Sequence, residues 1–143
     1  IQLGVPALIP DDYLPDVHAR LVLYKRIAGA KDEEGLRELQ VEMIDRFGLL
    51  PEPVKSLFQV AAIKLRARHL GIRKLELGPA GGRVLFTAKP NVDPLTIIRL
   101  VQREPKRYAV EGQDKLRIRR ELALPEERLK AAHELVTTLA QKG

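Results

Sequence analysis

Residues 72–88, IRKLELGPAGGRVLFTA, decide the fold class. Upstream of Gly71 the apolar residues recur at helical spacing. Within this stretch they alternate. Ile72 to Leu77 reads as one strand, GPAGG as a turn, and Arg83 to Ala88 as the antiparallel partner. Gly78, Gly81 and Gly82 invite comparison with a phosphate-binding loop. Such a loop ends in Lys-Ser/Thr and runs into a helix; here a strand follows, so the glycines mark a hairpin.

Working upstream, three helices are expected. Residues 1–16, IQLGVPALIPDDYLPD, contain three prolines and a glycine and read as an extended arm or linker. Asp11, Asp12 and Asp16 are turn and cap residues rather than cation ligands, and Asp16 is placed to cap a helix from Val17 to about Ala30. On that helix Val17, Leu21, Tyr24 and Ala28 form the apolar stripe, widened by Leu23 and Ile27. Asp32 caps the second helix, with Glu33 and Glu34 in its first turn. Its core face is Leu36, Leu39, Met43 and Phe47; Glu34, Glu38, Glu42 and Asp45 fall opposite. Such an acidic row is either a solvated face or a docking surface for a basic partner. Gly48 stops this helix, Leu49 and Leu50 are expected to pack as anchors, and Pro51 and Pro53 open the next. The third helix, about Pro53 to Leu70, carries Val54, Leu57, Phe58, Ala61 and Leu65 and should be the most buried.

Working downstream, Asn91 or Asp93 caps a helix with Pro94 in its first turn and Leu95, Ile98, Leu100 and Val101 on its apolar side. A second hairpin follows, Tyr108–Glu111 and Lys115–Arg119 around Gly112 to Asp114. A last helix spans about Pro125 to Gln141, with Leu129, Ala132, Val136 and Leu139 inward. The expected class is therefore α+β. N-terminal helices precede a hairpin-helix-hairpin-helix, with about four antiparallel strands packed against helices.

The composition is that of a globular protein: 45% hydrophobic and 31% charged over 143 residues, a length that suits a single domain. With three phenylalanines, three tyrosines and no tryptophan, aliphatic side chains must fill the core. No cysteine is present, which excludes disulfides and thiolate chemistry and suits a reducing, cytoplasmic setting. No apolar run approaches the roughly 20 residues that span a bilayer. The chain begins at Ile1 rather than methionine, so a longer protein is expected around it. A formal net charge of +6 permits nucleic-acid contact without establishing it.

Enzyme signatures are missing. His18, His69 and His133 are isolated, whereas a metal site needs three or four convergent ligands. Ser56 is the sole serine and lies in no nucleophile elbow. Neither catalysis, a metal nor a cofactor is expected. Arg66, Arg68, Arg73 and Arg117 are candidate phosphate contacts, which leaves open a nucleic-acid-binding accessory role. Aromatic rings for base stacking are scarce, Phe86 and Tyr108 being the main ones on the sheet.

Three segments together, PALIPDDYLPDVHARLVLYKRIAGA, VEMIDRFGLLPEPV and LGIRKLE, resemble the C-terminal domain of bacterial transcription-repair coupling factors. The similarity spans essentially the whole chain. It implies that the chain belongs to a large ATP-driven DNA translocase that acts on stalled RNA polymerase and recruits the UvrA component of excision repair. The motor, its ATP site and the UvrA-binding module would lie upstream of these residues. The resemblance further implies a non-catalytic internal clamp, which packs on the UvrA-binding module, masks it, and restrains the motor until polymerase is engaged. By the same resemblance Glu42 and Asp45 would meet arginines of that module, with Arg46 as a further contact. Glu38, one turn earlier, extends the set by helical geometry. UvrA, RNA polymerase and DNA would be reached through the rest of the protein.

Overall fold

The computed structural model describes residues 1–142. Five helices and four strands follow in the order α1 (Val17–Ala28), α2 (Glu33–Phe47), α3 (Glu52–His69), β1 (Ile72–Gly78), β2 (Gly81–Phe86), α4 (Pro94–Arg103), β3 (Tyr108–Glu111), β4 (Lys115–Arg119) and α5 (Pro125–Leu139). The α+β class and the hairpin-helix-hairpin-helix order are as expected. The chain packs as two compact units, Pro6–Leu65 and a second made of Ile1–Val5 with residues 66–143.

In the first unit the core joins Leu23 and Ile27 of α1 to Leu36, Leu39 and Met43 of α2 and to Val54 and Phe58 of α3. The irregular segment before α1 contributes Ile9 and Leu14. It is held by polar contacts too: the Ile9 amide donates to the Tyr24 hydroxyl at 2.6 Å, and Arg20 donates to the Leu14 and Pro15 carbonyls. Asp16 caps α1 by accepting from the His18 and Ala19 amides, as its position predicts.

Two expectations about side-chain placement fail here. The stripe assigned to α1 is exposed at Val17, Leu21 and Ala28, and only the flanking Leu23 and Ile27 are buried. Apolar residues occur nearly all round this helix, so periodicity alone does not select one phase; contact with α2 does. Leu49 does not pack down. It is 86% exposed, while Leu50 beside it is buried.

The second unit holds a four-stranded sheet of order β1-β2-β4-β3, antiparallel throughout. The first hairpin turns on Pro79 and Ala80, so Gly81 and Gly82 belong to β2 rather than to the turn. Gly82 stands where a Cβ would lie 1.8 Å from the Glu76 carbonyl oxygen. Leu75, Leu77, Val84, Phe86, Leu116 and Ile118 are buried on one face of the sheet. Helix α5 packs against β1 and α4. It has seven buried residues, among them Leu129, Ala132, Leu135 and Val136, which makes it the most buried helix in place of α3. On α4, Leu100 is buried but Leu95 and Ile98 are exposed, and Thr96 takes an inward place by donating to the Gln141 carbonyl at 2.6 Å. A short N-terminal segment runs beside β1, with the Gln2 amide donating to Leu75 and the Leu77 amide to Gln2. The buried Arg128 guanidinium ties this segment down through the carbonyls of Leu3, Gly4, Leu122 and Ala123.

Candidate interaction surface on helix α2

Helix α2 is anchored at both ends. Asp32 accepts from the Gly35 amide at 2.8 Å, and Gly48, at φ +98°, ends the helix in a conformation that favours glycine. The Tyr13 hydroxyl donates to the Gly48 carbonyl at 2.9 Å and lies 3.3 Å from that of Met43, satisfying carbonyls at the C-terminal end. Burial raises the Tyr13 pKa above the usual phenol value. Its ring meets Phe47 edge to face, and Arg46 lies over the Phe47 ring at 4.8 Å.

Four carboxylates belong to the face away from Leu36, Leu39 and Met43, but they are not equivalent. Glu42 sits at the shoulder and faces α1. Arg26 holds it in a two-pronged pair, with Nη1 2.5 Å from Oε2 and Nη2 2.9 Å from Oε1. Arg46, one turn on, adds a 3.4 Å contact to Oε2. The hydrogen bond from Arg26 is the main cause that holds the Glu42 pKa below the usual carboxylate value, and the same bond raises that of Arg26. Glu34, Glu38 and Asp45 are exposed and form no salt bridge among the described residues.

Between these carboxylates the surface is apolar. Val41 is 58% exposed and sits on the same helical face as Glu38 and Asp45; Ile44 and Leu49 are exposed nearby. Helical periodicity alone flags Val41 and Ile44, since neither fits the Leu36–Leu39–Met43 face. Leu49 carries no such signal, being assigned to the corner by composition. The candidate surface is thus an acidic face around aliphatic side chains. It can take cations at its edge and apolar contact at its centre.

The four arginines considered as phosphate contacts do not converge. Arg66 of α3 reaches Thr137 of α5 at 3.3 Å. Arg68 is exposed on α3. Arg73 lies at the β1 irregularity, 4.0 Å from Asp114. Arg117 projects from β4 on the side opposite the buried Leu116 and Ile118 and pairs with Glu111. Among the described residues no group of three or more His, Cys, Asp or Glu side chains could hold a metal ion, and no helix is long and apolar enough to cross a membrane.

The sequence pattern of the TRCF domain family matches residues 3–97. A transcription-repair-coupling factor of Escherichia coli (strain K12) is 41% identical over 143 residues, covering 100% of this chain and 12% of that protein. One from Haemophilus influenzae (strain ATCC 51907 / DSM 11121 / KW20 / Rd) is 44% identical over 140 residues, covering 98% of the chain and again 12% of the relative. The chain therefore spans a small part of the length of these relatives. A crystal structure of the C-terminal domain of transcription-repair coupling factor is similar in fold, with a TM-score of 0.81 at 20% identity, over 96% of this chain and 89% of that one.

Proposed function

The chain belongs to the transcription-repair-coupling factor family through its TRCF domain, and on that premise we propose that it is a non-catalytic autoinhibitory domain. Its α2 surface docks on the UvrA-binding module of the same longer protein. Docking masks that module and restrains the ATP-driven translocase until stalled RNA polymerase is engaged.

The observation that carries this reading is the exposed acidic face of α2, with Glu38 and Asp45 unpaired beside Val41. Each such carboxylate can accept two hydrogen bonds from an arginine of a partner. A mainly polar contact gives register and reversibility, which a releasable mask needs. Glu42 enters differently from Asp45. Its carboxylate is already shared by Arg26 and Arg46, so a partner arginine competes for it or joins the cluster. Arg46 is placed to contribute through the face of Phe47.

The test uses the full-length protein that carries this chain. Glu42→Ala with Asp45→Ala should raise UvrA binding several-fold while leaving the thermal transition of the domain in place. UvrA affinity equal to that of the parent protein would overturn the assignment of this surface.

A further inference from the structure

The solvent face of the sheet is strongly cationic. Strand alternation turns Lys74, Arg83, Lys115, Arg117 and Arg119 to the side opposite the buried Leu75, Val84, Leu116 and Ile118. The register sets Glu76, Arg83 and Arg117 abreast, with Lys74, Leu85 and Lys115 in the row on one side and Gly81 and Arg119 in the row on the other. Two carboxylates share this face. Glu76 pairs with Lys74 and Arg83, each at 3.3 Å, and Glu111 pairs with Arg117. Lys115 and Arg119 form no salt bridge among the described residues, though both help hold the Glu111 pKa down, behind Arg117.

At the hairpin end of this face lies an open cleft of about 510 Å³, whose lining includes Gly81, Gly82, Arg83, Arg117 and Arg119 together with Glu76, the partner of Arg83. Its floor is bare backbone for a physical reason. Gly81 has φ +117°, and a Cβ there would lie 2.2 Å from the Ile118 carbonyl oxygen; at Gly82 it would lie 1.8 Å from that of Glu76. Side chains are excluded at these two glycines, and Arg83, Arg117 and Arg119 stand around them with Glu76.

This arrangement suits phosphate groups. The ion pairs to Glu76 and Glu111 are partly exposed, hence weak and exchangeable for a stronger anion. Three of the five cations are arginines, whose planar forks match phosphate oxygens in pairs. Successive cations of β4 recur roughly every 7 Å along the strand, a row suited to a ligand of uninterrupted, regular charge. A polynucleotide backbone carries such charge at every unit whatever its sequence, whereas a peptide does so only in an unbroken run of carboxylates. Phe86 and Tyr108 are buried, so no ring on this face offers a platform for bases. Contact is then to phosphates and independent of sequence.

We infer that the solvent face of the sheet, centred on the cleft walled by Arg83, Arg117 and Arg119, binds the phosphate backbone of a nucleic acid. This face includes no residue of α2, and the inference needs nothing from the masking role.

The experiment is fluorescence anisotropy of the 143-residue chain with a labelled mixed-sequence duplex and its single strands, over a range of KCl. Two variants each lose two positive charges. Lys115→Gln/Arg119→Gln removes unpaired cations of the face; Lys64→Gln/Lys130→Gln removes exposed cations of α3 and α5. The face variant should bind roughly tenfold more weakly, with the slope of log K against log salt reduced by about two. The helix variant should stay within about twofold of the parent. Unchanged thermal transitions certify that both variants fold. Three results would each overturn the inference: no binding by the parent at about 50 mM KCl, equal losses in the two variants, or displacement of DNA by poly-glutamate at lower charge concentration than by unlabelled DNA.

Discussion

Arg26 of α1 grips Glu42 of α2 with both guanidinium nitrogens, at 2.5 and 2.9 Å, although the two residues are sixteen positions apart. The pair joins two helices of one unit and occupies a carboxylate that the helical wheel leaves among solvated acids. Both side chains remain partly exposed, 45% and 38%, so the pair orients more than it stabilises.

Replacing Arg26 by alanine should therefore lower the melting temperature by at most a few degrees. It should also release Glu42, leaving only the longer Arg46 contact. Under the masking role the freed carboxylate tightens the docked state, so UvrA affinity of the full-length protein falls several-fold. A rise in affinity on Arg26→Ala would show instead that Glu42 acts by holding α1 against α2.

The same pair sets a pH dependence. The Glu42 pKa in the folded chain is lowered by the Arg26 hydrogen bond; Glu76 and Glu111 are lowered too, first by Lys74 and by Arg117 respectively. A carboxylate depressed on folding contributes fully above its unfolded value, about 4.3, and loses that contribution as pH falls through the folded value. Urea midpoints should be level from neutral pH down to about 5 and then decline. Glu42→Gln should make that decline shallower and leave the Glu76 and Glu111 shares intact.

Glycines of the sheet should separate by contact, not merely by backbone angle. Gly82→Ala places a methyl group against the Glu76 carbonyl and should cost about 3 kcal/mol or more, read from chemical denaturation. At Gly112, with φ +66° and nothing within 4 Å, alanine meets only the left-handed backbone penalty. About 1–2 kcal/mol is expected there.

Arg128 gives a test of the N-terminal segment. It is 7% exposed and donates to four backbone carbonyls, those of Leu3, Gly4, Leu122 and Ala123, and forms no salt bridge among the described residues. Arg128→Met keeps the length and leaves those acceptors without the donor. A loss of about 2–4 kcal/mol is expected, reflecting unpaired buried carbonyls. Amide exchange should accelerate first at Gln2 and Leu77, which bond the segment to β1.

Much of this architecture is legible in local chemistry. Asp16 and Asp32 announce helix starts because their carboxylates satisfy amides within three residues. Gly48 announces a stop because it can adopt φ +98°. Alternation over Ile72–Leu77 announces a strand because one sheet face is dry. Each signal depends on neighbours within a turn or a ladder step, so sequence alone determines element type, order and the α+β class.

The surface is less legible, for a different reason. Whether Val17 or Leu23 faces the core of α1 depends on which side α2 occupies, and α1 offers apolar residues on both. Glu42 and Asp45 have equal standing on a helical wheel, yet Arg26 from another helix holds one and leaves the other exposed. Leu49 and Leu50 are chemically identical neighbours, and packing buries only the second. The arginine-walled cleft likewise exists only once β2 and β4 pair and bring Arg83, Arg117 and Arg119 around a glycine floor. These are relations between residues distant in the chain. Their selection rests on packing and charge pairing across elements, which tertiary structure supplies and local periodicity does not encode.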